Sequence, residues 1–390
     1  SPPPPRPPPP AQPPPPEWVE LVTGLAAGTT SRLNSVDFVD SYTGWAVGAQ
    51  NAILKTVTGG TSWAQQSSLQ PEFTVWYGVS FISTFVGWVA GSGAGGLGVI
   101  VKTTDSGSTW TLQLNAFSRL NAIQALDNEH VWAVGMNAVI LHSSDGGASW
   151  SNVGPESTSS NDFYFGLYFY PETPNYGLVV GYRGQVLRTV DSGTTWVSAV
   201  VERGADGKEL RSVHMRGLDG WLSGADGTLM HSVDGGVSWN FPAASCPTLY
   251  DLFSVVQAPF GDYVWAVGDD GHVCKTSDAG ASWTDETALQ GRGLYSVSAV
   301  SHISLFAVGN GGAVVTYVAS PPPPPSPPPP LPPSPPPPPS PPSTPASPPP
   351  AAPPPDSPPA PPPYPPPRPH WPPPSPPPRP PSPPPSPPSP

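Results

Sequence analysis

Five aspartates recur at one position of a repeated turn, and they are the first residues in this chain with the type and spacing to do chemistry. Asp105, Asp145, Asp191, Asp234 and Asp278 each sit in a stretch of the form S/T-x-D-x-G-x-S/T-W that closes on Trp110, Trp150, Trp196, Trp239 and Trp283. Two carboxylates flanking one bond would suit acid–base hydrolysis. One carboxylate per repeat is a different arrangement, because a ring of repeats keeps the five apart. An Asp just before a Gly turn accepts hydrogen bonds from its own backbone, so turn stabilisation is expected rather than catalysis. A degenerate sixth copy, Thr56 to Trp63, carries Thr58 in place of the aspartate. The basic residues that precede the boxes are Lys55, Lys102, His142, Arg188, His231 and Lys275, with Thr316 at the seventh position. A repeated position implies a repeated structural duty, such as balancing the turn carboxylates. His130, His214, His272 and His302 lack the paired spacing of a zinc site. No G-x-S-x-G, H-E-x-x-H or phosphate-loop sequence occurs. The expectation is a protein without catalytic, metal or cofactor-binding residues, and so not an enzyme.

The elements that must hold these turns repeat with them. A Gly-flanked apolar pentapeptide recurs as GWAVG at Gly44–Gly48, GWVAG at Gly87–Gly91, VWAVG at Val131–Gly135 and GLVVG at Gly177–Gly181. It continues as GWLSG at Gly220–Gly224, VWAVG at Val264–Gly268 and LFAVG at Leu305–Gly309, with spacings of 41 to 46 residues. That is the period of one four-stranded propeller blade, and seven of them can close a ring. Each unit begins with a short inner strand whose second residue is Asn34, Tyr77, Asn121, Phe165, Arg211, Phe253 or Tyr295. These positions alternate with core residues, which predicts packing between blades rather than a sugar-stacking platform. Arg32 and Arg119 precede inner strands at one channel mouth, but Glu209 and Asp251 hold the equivalent place in other blades, so no coherent anion site is expected. The last repeat stops before its fourth strand, at Val314, Val315 and beyond, while Trp18, Val19 and Leu21 resemble a fourth strand lacking its hairpin. Pairing the two would seal the ring. The fold class expected is all-β: a seven-bladed β-propeller whose N-terminal strand closes the last blade, flanked by polyproline II arms.

Composition divides the chain into 1–16, a proline-rich arm; 17–319, the propeller; and 320–390, a Ser/Pro-rich tail. The two arms hold 12 and 48 of the 67 prolines. Proline removes the donor that helices and sheets need, and such runs favour polyproline II. The net charge of −12 argues against nucleic acid as a partner. No apolar run is long enough to span a membrane. The chain opens on Ser1 without Met, which reads as a stretch of a longer precursor. Cys246 and Cys274 fall within one repeat, where a disulfide and two free core thiols are both open.

The middle domain resembles the Asp-box (BNR-repeat) propellers, and its GWAVG…ILKT…DGGxSW pattern is most similar to the photosystem II stability and assembly factor family. That resemblance implies a seven-bladed ring of the thylakoid lumen that helps assemble the reaction centre. Sialidases share the box, but they need an Arg triad and usually carry an Arg-Ile-Pro near the start, and no such tripeptide occurs here. The arms resemble extensins and the pherophorins of green algae. That second resemblance implies hydroxylation and O-linked glycans at Pro2, Pro3, Pro4, Pro5, Pro7, Pro8, Pro9 and Pro10, and at Pro321, Pro322, Pro323, Pro324, Pro325, Pro327, Pro328, Pro329 and Pro330. Together the two resemblances favour an extracellular structural glycoprotein of the cell wall or matrix. Its expected partners are other wall glycoproteins and further copies of itself, joined into fibrils through the arms. The alternative is an assembly chaperone of the photosystem II type in the thylakoid lumen, or a carbohydrate-binding propeller anchored by its tail.

Overall fold

The computed structural model describes residues 17–21, 32–71, 74–155 and 162–318. Seven antiparallel sheets follow one another along the chain. Their inner strands are Leu33–Phe38, Val75–Phe81, Leu120–Ala125, Tyr164–Tyr170, Leu210–Arg216, Leu252–Gln257 and Leu294–Ser301. Neighbouring inner strands touch all the way round, the seventh against the first. The seven-bladed β-propeller expected from the repeats is therefore the fold. Its closure is the expected one too. Glu17–Glu20 pairs antiparallel with Val314–Val318 as the outermost strand of the seventh blade, Trp18 opposite Tyr317 and Val19 opposite Thr316. The Leu21 amide then donates to the Val314 carbonyl at 2.8 Å. Both proline-rich arms, with every candidate hydroxylation site, lie outside the described residues.

The pentapeptide is the second strand of each blade and is wholly buried. Its Trp lies between blades: Trp45 stacks on Phe81 of the next inner strand at 3.5 Å between centroids, and Trp132 on Phe169 at 3.8 Å. The leading glycine makes room for that aromatic, since a Cβ on Gly44, Gly87 or Gly177 would overlap the ring of Phe38, Phe81 or Phe169.

Each box works as a closed hydrogen-bond cycle. In the third blade one oxygen of Asp145 accepts from the Ser143 hydroxyl and the Ser149 amide, both at 2.8 Å, while the other accepts from the Ser149 hydroxyl. Asp105, Asp191, Asp234 and Asp278 repeat the pattern. Thr58 reproduces part of it, accepting from the Ser62 amide at 3.0 Å. Each turn is also tied to the hairpin that joins the first two strands of its blade, as when Gly59 donates to Tyr42, Ser106 to Phe85 and Gly235 to Leu218.

The basic residues before the boxes do more than balance turn charge, although the box carboxylate Asp145 of the next blade does act on Lys102. Lys102 lies over the Trp88 ring and donates to the Gly146 carbonyl, in the box of the next blade, at 2.8 Å. His142 stacks on Trp132 at 3.9 Å and His231 on Trp221 at 4.2 Å. They cap the interblade Trp and bind blade to blade. The fifth blade departs from the repeat. Its sheet has three strands, and Ser238–Trp239 instead pairs in parallel with Val200–Val201 from the fourth blade's outer side. Cys246 and Cys274 form a disulfide with Cα atoms 5.7 Å apart, fastening the connector before the sixth blade to that blade's third strand.

Candidate functional site

All seven inner strands begin with a β-bulge. In the first blade Leu33 is opposite Gly48 and Ser35 opposite Val47, so Asn34 has no partner across the ladder. The same slip occurs at Tyr77, Asn121, Phe165, Arg211, Phe253 and Tyr295. A bulge re-aims the extra side chain. Here it brings all seven, with Arg32 and Arg119, around one axial cavity of about 130 Å³. The closing glycine of the pentapeptide makes this possible. A Cβ on Gly48, Gly135 or Gly268 would overlap the carbonyl of Arg32, Arg119 or Asp251, and the other four blades are built alike. The motif read as core thus also shapes the mouth.

Three guanidinium groups converge there in two different electrostatic states. Arg32 donates from Nε to Asn34 Oδ1 at 2.6 Å, and Asn34 donates in turn to the Trp76 carbonyl of the second blade. Arg119 does the same two blades on, through Asn121 at 2.8 Å to the Tyr164 carbonyl. Each is also stacked, Arg32 over Tyr295 at 4.6 Å and Arg119 over Tyr77 at 4.1 Å. Among the described residues neither forms an ion pair. Arg211, by contrast, is held by Glu209 at 2.7 Å and Asp251 at 3.0 Å. Nearby, burial together with Asp251 and Asp270 raises the Asp269 carboxyl above its ordinary value, against the pull of Arg211. The mouth therefore has two uncompensated cations, fixed in direction by a hydrogen bond and a ring, and one neutralised cation. Such preorganised guanidinium groups suit a carboxylate or other planar anion. Glu209 and Asp251, expected to break up any anion site, pair with Arg211 and with neither Arg32 nor Arg119.

Below the mouth the inner strands are laced together by side chains that accept from the neighbouring blade. Ser35 takes the Val79 amide, Ser254 the Val297 amide and Ser296 the Val36 amide, each at 3.2–3.3 Å. Asp37 takes the Phe81 amide at 2.7 Å, and burial pushes its pKa up to about 6 despite that bond. The box aspartates are remote from all of this, one per blade at the opposite end of the third strand, and each is occupied within its own turn. Among the described residues no group of His, Cys, Asp and Glu has the arrangement of a metal site. Two larger cavities lie at the outer side, one of about 390 Å³ beside Tyr182 and Arg183 and one of about 460 Å³ between Tyr170 and Leu218. Neither gathers side chains from more than two adjacent blades.

Residues 18–117, 74–159 and 157–245 match the family described as photosynthesis system II assembly factor YCF48, together more than half of the chain. A photosystem II assembly lipoprotein Ycf48 of Synechococcus sp. (strain CC9902) is 30% identical over 143 residues, 35% of this chain and 42% of the relative. A chloroplastic photosystem II stability/assembly factor HCF136 of Oryza sativa subsp. japonica is 28% identical over 118 residues, 30% of this chain and 28% of the relative. The matched stretch thus spans less than half the length of either relative. Among solved structures, one described as YCF48 bound to D1 peptide superposes with a TM-score of 0.61 at 19% identity, covering 80% of this chain and 99% of the other. These findings overturn the reading as a structural wall glycoprotein, and with it fibrils through the arms and wall partners, and they give an extracellular place no support. That reading weighted the composition of the arms, which carries no information about what the folded ring binds. The repeats, which carry the match, place this chain in the photosynthesis system II assembly factor YCF48 family.

Proposed function

We propose that this chain is a binding module without catalytic activity that acts in photosystem II assembly by holding an extended anionic peptide over its axial mouth. The observation that carries the reading is the pair Arg32 and Arg119, both fixed by an Asn and a Tyr ring and both without a carboxylate partner among the described residues. Leu69, Phe117 and Leu249 stand exposed on connectors of the same face and offer apolar contacts to residues flanking the anionic group. Family membership supports the assembly role, and the relative solved with a D1 peptide supports a D1 segment as ligand. The chloroplastic relatives support a chloroplast location. The arginines occupy one face of Tyr77 and Tyr295, which weakens the carbohydrate-binding reading.

Fluorescence anisotropy of a labelled D1 peptide titrated with the full chain tests the proposal. Saturable binding, weakened when the peptide's carboxylates are amidated, is expected. A peptide that does not bind, or binds equally well when amidated, overturns it.

A further inference from the structure

The residue before each box stands directly across the ladder from the second residue of the pentapeptide. Trp45 faces Lys55, Trp88 faces Lys102, Trp132 faces His142, Trp221 faces His231 and Trp265 faces Lys275, while Phe306 faces Thr316. Six blades thus put an aromatic ring at this place. The fourth puts Leu178 there, opposite Arg188. Its position is the usual one, since a Cβ on Gly236 of the next box would meet Leu178 just as one on Gly280 would meet Trp221. The ring alone is missing, and the cation that would cap it is left over. In other blades that cation is engaged: Lys55 donates to Ser106, Lys102 to Gly146, and Lys275 to Tyr317 and Glu286. Among the described residues Arg188 forms no hydrogen bond or ion pair and lies over no ring. It borders instead the cavity of about 460 Å³ between the fourth and fifth blades, with Tyr170, Tyr176 and Leu218. Tyr170 ends the inner strand that Tyr164 begins at the mouth, so the cavity belongs to the opposite face.

We propose that this cavity binds a small aromatic carboxylate, its ring against Tyr170, Tyr176 and Leu218 and its carboxylate on Arg188. Small-molecule sites are built this way, as cavities of a few hundred Å³ with apolar walls and a few placed polar groups. A guanidinium with unspent donors takes a carboxylate through two parallel hydrogen bonds and also stacks on a ring. The ligand thereby supplies both what Arg188 lacks and what the other blades carry at the place of Leu178. The Tyr170 phenol, pushed up to about 12 by burial against the pull of Arg188, stays protonated and can donate to the same anion. Asp234 also borders the cavity, but its oxygens accept from Ser232 and Ser238 within its own turn, which leaves Arg188 unpaired. Its charge selects a monoanion over a phosphate ester. The site shares no residue with the peptide mouth, and the inference stands or falls separately.

Isothermal titration calorimetry of the full chain with indole-3-propionate tests it, beside indole and propionate alone. One-site binding is expected for indole-3-propionate, binding about tenfold weaker for indole, and none for propionate. Arg188→Gln should bring indole-3-propionate down to the affinity of indole while keeping the wild-type unfolding midpoint and D1-peptide affinity. Leu178→Trp restores the ring of the other blades and should abolish binding of both indole compounds. Should that variant not fold, Leu218→Ser, on an exposed hairpin, decides instead: it should weaken both and leave the midpoint unchanged. Indole-3-propionate that does not bind, or that binds equally well to Arg188→Gln or to a folded Leu178→Trp, overturns the inference. So does displacement of indole-3-propionate by the D1 peptide, since the cavity would then belong to the peptide site.

Discussion

The indole of Trp18 lies 5.4 Å from the ring of Tyr317, centroid to centroid, and so fastens the first described strand of the chain to the last. Lys275 of the sixth blade reaches the same tyrosine, its Nζ 2.6 Å from the hydroxyl. One contact thereby couples ring closure to the neighbouring blade. Trp18→Ala should lower stability by about 2–4 kcal/mol, since the indole is partly buried rather than fully so. Urea unfolding of the full chain checks this. A variant as stable as the wild type would mean that Glu17–Glu20 does not close the ring.

The bulge at each inner strand depends on a glycine opposite it. Gly135→Ala places a methyl group on the Arg119 carbonyl. We expect a loss of about 1–3 kcal/mol from overpacking, together with weaker peptide binding as Arg119 is displaced. Gly207→Ala, at a surface turn with open space around it but a positive φ of 84°, should cost stability while leaving peptide affinity intact. Equal peptide affinities for the two variants would separate the glycine from the site.

The boxes predict acid sensitivity of definite sign. Donation by Ser149 and Ser143 holds Asp145 down to about 2, and donation by Ser282 and Thr276 does the same for Asp278. A carboxyl whose folded pKa is depressed contributes stability above its unfolded value, near 4, and loses it as pH falls toward the folded value. Melting temperature should therefore drop between about pH 4 and pH 2. Asp145→Asn should lower the melting temperature at pH 7 and have less effect at pH 2. An equal effect at both values would contradict the box account.

Asp37 predicts the opposite sign in a different window. Burial raises its pKa to about 6, so the folded state holds its proton more tightly than the unfolded chain does. Its contribution is complete below about pH 4 and is lost as pH rises through 6. Asp37→Asn, which can still accept from Phe81, should be more stable than wild type at pH 7.5 by at most about 3 kcal/mol, with the gain vanishing near pH 4. The channel leaves the side chain some solvent, so that figure is a ceiling. Thermal melts across the range decide it.

Much of the ring was legible in the sequence. The pentapeptide recurs seven times and the box six times, once in degenerate form, both at a blade's period, and Trp18–Leu21 reads as a strand in search of an edge. The mouth was not legible as a site, for a geometric reason. Alternation along Leu33–Phe38 assigns Asn34 to a packing face, and a one-residue bulge that alternation cannot express turns it to the axis. The clue available was the glycine that closes every pentapeptide, which marks a close approach of backbone. Arg32, Arg119 and Arg211 look alike in sequence. Only their neighbours in space separate two open cations from one already paired. The role of the chain was misread because seventy-one Ser/Pro-rich residues outweighed repeats that say more about what the folded part binds.

The central claim is that Arg32 and Arg119 together hold the anionic group of a peptide while Arg211 does not. Titrating one labelled D1 peptide against Arg32→Ala, Arg119→Ala, the double variant and Arg211→Ala measures this directly. The account predicts a loss of about tenfold or more for each of the first two, a larger loss for the double variant, and a small change for Arg211→Ala. Unchanged affinity in the double variant, or a loss confined to Arg211→Ala, would contradict it.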